Sequence, residues 1–311
     1  MPWRRTRDPY SVWVSEIMCQ QTRVETVIPF FERWMETFPT VQALAAASEQ
    51  EVLAVWQGLG YYRRARFLHQ GAKWVAEHGY PTSAAEWRQV PGVGAYTAGA
   101  IASICLHEAT PVVDGNVERV YARFCGSHES GATRTKSSWA WATEILTPAT
   151  PGEWNQALME LGARICTPQN PVCDRCPVRM ECAACARGET ALLPIKNVRR
   201  QNLEVVQTVV IELYGSEIAF VQYGAEDWWT GLHGFPQISE PLITDERLPR
   251  VRHQVTHHKI EFQPFLRRVS SRTPDRIWVD RHELGNLPVA APFRKMLKTL
   301  FGEQAQLFAS I

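Results

Sequence analysis

The sequence predicts a mainly α-helical domain followed by a smaller α+β domain, and three observations predict it. Apolar residues recur at helical spacing through most of residues 10 to 185, as at Val41, Leu44, Val52, Leu53 and Trp56, and again at Ala98, Ile101, Ala102 and Cys105. After Cys185 the texture changes. Residues 203–213, 217–223 and 259–269 read as strands of partly alternating β-branched and aromatic residues, and 289–301 reads as a closing helix. Between the two regions, residues 186–202 (ARGETALLPIKNVRRQN) are polar, basic and interrupted by proline, as in a linker. Two domains follow, at 1–185 and 203–311, with no internal repeat.

The helical domain is punctuated at Phe38-Pro39, Gly58-Leu59-Gly60, Pro91-Gly92-Val93-Gly94 and Pro148 to Pro151. Thr40, Ser48 and Thr82 are placed to cap the helices that follow, and Ser48 with Glu51 forms a capping-box pattern. At 91–94, Gly92 and Gly94 permit a tight turn and a close backbone approach. The helix after them would open with free N–H groups suited to a phosphate. A helix–hairpin–helix gripping a DNA backbone has this pattern, and so does an ordinary turn between helices.

Composition restricts the function classes. The 311 residues are 45% hydrophobic and 21% charged with net charge +1, an ordinary globular balance. A neutral total neither announces nor excludes a nucleic-acid partner, because a local basic face decides. No run of about 18 apolar residues predicts a membrane span. Asp8 and Glu16 interrupt the apolar N-terminal stretch, against a secretory signal. A cytoplasmic location is expected, where four clustered cysteines read as a metal site more readily than as disulfides.

Those four are Cys166, Cys173, Cys176 and Cys182, in the pattern C-x6-C-x2-C-x5-C. Zinc sites usually pair two C-x2-C knuckles across a longer spacer. In this run Cys173 and Cys176 form such a pair, flanked by gaps of six and five. A wide four-iron cluster takes ligands from one looped segment, and Pro168, Pro171 and Pro177 keep the run out of regular helix. An iron–sulfur cluster is favoured over zinc. Cys19, Cys105, Cys125 and Cys185 are read as buried or incidental thiols.

The order of motifs is more specific than any one of them. The hairpin at 91–94, the VVDGNVERV segment at 112–120 and the four-cysteine loop together resemble the endonuclease III superfamily of DNA base-excision glycosylases. Within it the chain is most similar to adenine DNA glycosylases of the MutY type, through residues 2–31, WQGLGYYRRARFLH (56–69), WNQALMELGARIC (154–166) and GLHGFP (231–236). The resemblance implies a helix-hairpin-helix glycosylase fold with an iron–sulfur loop holding a 4Fe-4S cluster. It also implies a Nudix-like C-terminal domain that recognises 8-oxoguanine. The glutamate-rich hydrolytic Nudix helix is absent, so nucleotide hydrolysis is not expected. Two departures stand out. Family members carry a further helix before the segment beginning at Pro2, which implies a truncated or misassigned start. Their Phe-Ser-His loop appears here as Val255-Thr256-His257.

The implied activity is monofunctional base-excision repair: hydrolysis of the bond to adenine mispaired with 8-oxoguanine or guanine in double-stranded DNA, by a monomer associated with the nucleoid. By resemblance, Glu16 protonates adenine, Asp114 stabilises the sugar cation and Asn116 orients Asp114 or a water. Tyr96 stands where bifunctional relatives carry a Schiff-base lysine. Glu16 lies among Val12, Trp13, Ile17 and Met18, and desolvation there would keep it protonated. Trp3, Arg4 and Gln156 are the expected adenine pocket. Gln21, Thr22, Leu59, Tyr61, Thr256 and His257 are expected around the lesion. Arg63, Arg64, Arg66, Arg175 and Arg179 are available for phosphates, the first three equally as a solvated helix face. His253, His257 and His258 are not expected to hold a metal, since no fourth ligand is obvious. The competing readings are another mismatch glycosylase or lyase of the superfamily, and a non-enzymatic iron–sulfur DNA-binding redox protein.

Overall fold

A computed structural model of the chain describes residues 1–196, 202–224 and 226–302. Residues 197–201, the last part of the expected linker, lie outside the described residues, as do 225 and 303–311. The chain forms two compact units, Met1–Ala46 with Phe67–Val198, and Ala47–Arg66 with Arg199–Ile311.

The helices are α1 (Pro9–Cys19), α2 (Val24–Thr37), α3 (Val41–Ala46), α4 (Glu49–Trp56), α5 (Arg63–His78), α6 (Ala84–Trp87), α7 (Ala95–Cys105), α8 (Gly115–Phe124), α9 (Gly131–Glu144), α10 (Pro151–Glu160) and α11 (Ala183–Ala186). A 3-10 turn at Pro2–Arg4 precedes α1, and α10 runs into a π-helical turn at Leu161–Ile165. The apolar stretch at 41–56 is divided because Ser48 closes the expected capping box with Glu51 and starts a new helix. Thr40 accepts the Ala43 N–H as expected. The expected cap at Thr82 shifts by one residue. Ser83 accepts the Glu86 N–H, while Thr82 itself is held by the Glu86 carboxylate.

The first unit is built around α1. Residues Tyr10–Met18 are all buried. Asp8 starts the helix by accepting the Ser11 N–H, and Pro9 supplies a preset φ at its first position. The Trp13 ring lies edge-on to Trp87 at 5.5 Å and fills the space beside Gly71, where a Cβ would stand 2.6 Å from it. Gly99 lets α7 approach the chain just before α8, since a Cβ there would stand 2.6 Å from the Pro111 carbonyl oxygen. That approach carries the start of α8 to the middle of α7.

In the second unit, β1 (Leu203–Tyr214), β2 (Glu217–Gln222), β3 (His233–Gly234), β4 (Glu246–Arg247), β5 (Val251–Val255), β6 (His258–Arg268) and β7 (Ile277–Asp280) form a mixed sheet, ordered β3-β2-β1-β6-β4, with β5 on β6 and β7 on β2. β1 and β6 run parallel from Leu203 opposite His258 to Leu213 opposite Arg268. The closing helix, α12 (Ala291–Phe301), presses Phe293 against Phe235, Phe262 and Tyr223 at 5.4–5.6 Å between ring centres. The three strands predicted at 203–213, 217–223 and 259–269 are present as β1, β2 and β6. β5 was not anticipated, because its polar alternation (Arg252, Gln254) is the pattern of an edge-type strand with one wet side.

Candidate active site

Glu16 is an acidic residue on a helix that is buried on every side, with 7% of its surface exposed. Burial pushes its carboxyl above the ordinary 4.5. The Asp114 charge pushes in the same direction. A hydrogen bond from Tyr96 and the charge of Arg4 oppose it. The Tyr96 hydroxyl, one residue into α7, donates to Glu16 Oε2 at 2.5 Å and lies 3.2 Å from the Met159 sulfur of α10. Burial and the neighbouring carboxylates hold the Tyr96 phenol well above its ordinary range, so it remains a donor.

Asp114 is the N-cap of α8. Its Oδ1 accepts the Val117 N–H at 2.8 Å and its Oδ2 accepts from Asn116 Nδ2 at 2.8 Å. The carboxylate is therefore fixed by two donors at the positive end of a ten-residue helix. Asn116 is oriented in turn by Arg119, whose Nη2 donates to Asn116 Oδ1 at 2.9 Å and to the Gly162 carbonyl at 2.7 Å. Gly162 sits in the π turn. A Cβ there would fall 2.7 Å from that of Asn116, so only glycine allows the approach. Sequence reasoning missed Arg119, because besides Gly115 and Asn116 on its own helical turn its partners, the carbonyls of Gly162 and Cys166, lie 43 and 47 residues away.

Arg4 acts on Glu16 electrostatically, and its Nε is buried without a hydrogen-bond partner. Gln156 lies one turn before Met159 on α10 and bonds back to the Gly152 carbonyl. Trp3 is buried at 4% exposure and packs edge-on to Phe31. At the hairpin, Gly92 has φ +80°, and a Cβ there would meet that of Phe67 at 2.4 Å. Gly94 is the N-cap of α7 with no side-chain cap and open space beside it.

The residues expected around the lesion divide between the units. Gln21 and Thr22 follow α1 in the first unit, with Gln21 exposed at φ +56°. Leu59 and Tyr61 precede α5 in the second. Tyr61 is 58% exposed at φ +49°, as a stacking wedge requires, whereas Leu59 is buried at 6% and cannot serve as one without moving. Thr256 and His257 form the β5–β6 turn, with Thr256 at φ +51°. His257 therefore lies in a turn and not on the strand that carries His253. Burial also lowers the His253 pKa. Among the arginines expected to be free for phosphates, Arg66 pairs with Glu49 at 2.8 Å and Arg179 with Asp174 at 2.7 Å. Arg64 lies over the Trp56 ring.

Cys166, Cys173, Cys176 and Cys182 line one cavity, and Cys185 lines it with them. Cys185 is thus not incidental. Its signal was in the sequence: Cys182-Ala-Ala-Cys185 is a second C-x2-C pair, wrapped on the first turn of α11. Among the described residues no group of three or more His, Cys, Asp or Glu side chains is placed to hold a metal ion. A single ion draws its thiolates in to about 2.3 Å, whereas a four-iron cluster spreads them around a cage. Five sulfurs spread around one cavity fit the second demand. Arg123, 2% exposed, points into the same place and donates to Cys166 Sγ at 3.3 Å and the Thr167 carbonyl at 2.7 Å. A buried guanidinium beside thiols suits a group that carries negative charge.

Residues 14–142 match the HhH-GPD superfamily of base excision DNA repair proteins. The adenine DNA glycosylase of Homo sapiens is 49% identical over 203 residues, which are 61% of this chain and 37% of that protein. The adenine DNA glycosylase of Buchnera aphidicola subsp. Schizaphis graminum is 29% identical over 96% of this chain and 93% of its own length. A solved thermostable thymine-DNA glycosylase superposes with a TM-score of 0.55 at 25% identity, over 60% of this chain and 88% of that one. The chain accordingly spans well under half of the human relative, 37% of its length. No helix among the described residues is long and apolar enough to cross a membrane. The hairpin at 91–94 and the Asp114 cap lie within residues 14–142, the part of this chain that is similar to the HhH-GPD superfamily of base excision DNA repair proteins.

Proposed function

We propose that the protein is a monofunctional adenine DNA glycosylase of base-excision repair, acting on adenine opposite 8-oxoguanine or guanine in duplex DNA. The observation that carries the reading is the pair Glu16 and Asp114. One carboxyl is buried and pushed toward its protonated form, and the other is held by donors at a helix terminus. Breaking a base–sugar bond calls for that division: a proton for the departing base and a negative charge for the cationic sugar. Adenine must leave the duplex to be reached. Glu16 then gives its proton to N7, the C1′–N9 bond breaks with its electrons going to the base, Asp114 faces the sugar cation, and water adds its hydroxyl to C1′ while its remaining proton returns to the Glu16 carboxylate. The unpartnered Arg4 Nε and the Gln156 amide suit a base edge. At position 96 a phenol cannot form a Schiff base, which supports hydrolysis without strand cleavage.

In this reading a 4Fe-4S cluster on Cys166, Cys173, Cys176 and Cys182 clamps the loop that presents Arg175 to DNA. The C-terminal region is a Nudix-like domain whose Thr256–His257 turn senses the lesion. Incubation with duplexes carrying A opposite 8-oxoguanine, T opposite G, or thymine glycol tests the function. Strand breaks at A alone, and only after alkali, are expected. Breaks at T or thymine glycol, or breaks without alkali, defeat it.

Two substitutions probe the parts. Tyr96→Phe removes the donor that holds the Glu16 carboxyl down, so the alkaline limb of the pH–rate profile moves up while the plateau rate falls by about tenfold or less. An unmoved limb separates Tyr96 from the acid. His257→Ala costs about tenfold in the ratio of single-turnover rates on A:8-oxoguanine over A:G, the worth of one missing hydrogen bond. An unchanged ratio assigns lesion sensing elsewhere.

A further inference from the structure

The Tyr96 hydroxyl has one proton and two acceptors beside it. Glu16 Oε2 lies 2.5 Å from its oxygen and the Met159 sulfur 3.2 Å. The packing of α10 on α7 puts the sulfur there. A Cβ at Gly152, near the start of α10, would stand 2.7 Å from the Ser103 carbonyl oxygen near the end of α7, so glycine lets the two helices touch. About two turns further along α10, Met159 meets Tyr96, two turns back along α7, so the helices run antiparallel. Glu16 and Met159 are both buried. A thioether accepts weakly and cannot donate, whereas a phenol both donates and accepts. A buried donor left without an acceptor costs more than an ordinary hydrogen bond contributes.

The carboxyl offers the phenol two situations. Ionised, it accepts the Tyr96 proton. Protonated, as the acid must be before adenine leaves, it carries its own O–H, which can donate to the Tyr96 oxygen. The phenol then has to turn its proton elsewhere, and the Met159 sulfur is within reach.

We propose that Met159 is a positioning residue for the acid: its sulfur accepts the Tyr96 hydroxyl while Glu16 is protonated and releases it when Glu16 gives its proton away. The inference rests on the adenine glycosylase reading of the site. In the waiting state Glu16 donates to the Tyr96 oxygen and Tyr96 donates to Met159 Sδ. On transfer the Glu16 O–H bond breaks and that proton goes to N7. The Tyr96 proton stays on its oxygen and turns from the sulfur to the new carboxylate, so no proton passes through Tyr96. The sulfur favours the acid before the reaction, and the hydroxyl favours the carboxylate after it. The other charged or titratable groups acting on the pair are Arg4 ahead of α1, Cys19 on α1, Cys105 on α7 and Asp114 at the start of α8.

The test is the pH–rate profile of single-turnover adenine excision from an A:8-oxoguanine duplex. It uses the full chain as parent, Met159→Leu, Tyr96→Phe and the double variant. Leucine keeps the volume and removes the acceptor. Without the sulfur the waiting state strands the phenol proton, so Glu16 loses its own proton more readily. The alkaline limb of Met159→Leu should therefore move down by about half a pH unit to one unit, the worth of one hydrogen bond. In the Tyr96→Phe background the same substitution should leave the limb where Tyr96→Phe alone puts it, since the sulfur acts only through the hydroxyl. A packing defect would move the limb equally in both backgrounds. An unmoved limb in Met159→Leu, or an equal shift with and without the hydroxyl, overturns the proposal. Met159→Ile, also without sulfur, carries the same cycle if the leucine variant does not fold. A parent that excises no adenine defeats the glycosylase reading itself, a result distinct from an active parent whose limb ignores residue 159.

Discussion

Asp114→Asn should bind the A:8-oxoguanine duplex about as well as the parent yet excise adenine at least a hundredfold more slowly in single turnover. Removing one preorganised charge from the transition state costs about 2.7–4 kcal/mol in comparable sites. The substitution isolates that charge, because asparagine is itself a good N-cap and its amide oxygen can still accept the Val117 N–H. What it cannot satisfy is Asn116 Nδ2, which now meets a second amide N–H. Arg119 prevents Asn116 from turning to suit it. The cost in stability is about 1–3 kcal/mol, read as a modest fall in melting temperature. Near-parental excision by a folded Asp114→Asn protein would remove Asp114 from the chemistry.

Glu16→Gln should separate activity from stability more sharply. Glutamine keeps the shape and still accepts from Tyr96, but has no proton to give, so excision falls by about a hundredfold to ten-thousandfold. Stability moves the other way. The folded carboxyl titrates above the ordinary 4.5 because it is buried. Between 4.5 and that higher value the folded protein keeps a proton that the unfolded chain releases, so stability falls as pH rises through this window. Glutamine has no such dependence. The variant should therefore be more heat-stable than the parent at neutral pH, with the difference vanishing as the pH approaches 4.5 and below. A variant less stable than the parent at neutral pH would mean that the native site favours the ionised carboxyl.

What the sequence reveals follows from how local each signal is. The capping box at Ser48 and Glu51, the strands at 203–213 and 259–269 and the α7 boundaries were legible, since each depends on residues within a few positions. Glu16 was legible as an acid in an apolar helix. Tyr96 as its hydrogen-bond donor was not, since the two are 80 residues apart. Arg119 and Arg123 have no local signal, because arginine is seldom buried and what holds them includes distant carbonyls of the 162–168 segment and of Leu193. Trp3 and Leu59 lie in motifs that resemble DNA-contacting segments, and the fold buries both side chains. An apolar side chain in a motif has the same spelling whether it packs inward or outward. Cys185 is the opposite case: its C-x2-C spacing with Cys182 is a local signal present in the sequence.

The central claim is that Glu16 drives excision by protonating adenine at N7 while Asp114 holds the sugar cation. Single-turnover excision of 7-deazaadenine opposite 8-oxoguanine tests it most directly. Carbon replaces N7 in that base, so it keeps the shape and the pairing edge but has no site for the proton. Binding close to that of the adenine duplex is expected, with no measurable excision. Excision at a rate near that of adenine would contradict it, because the departing base would then need no proton from Glu16 at N7.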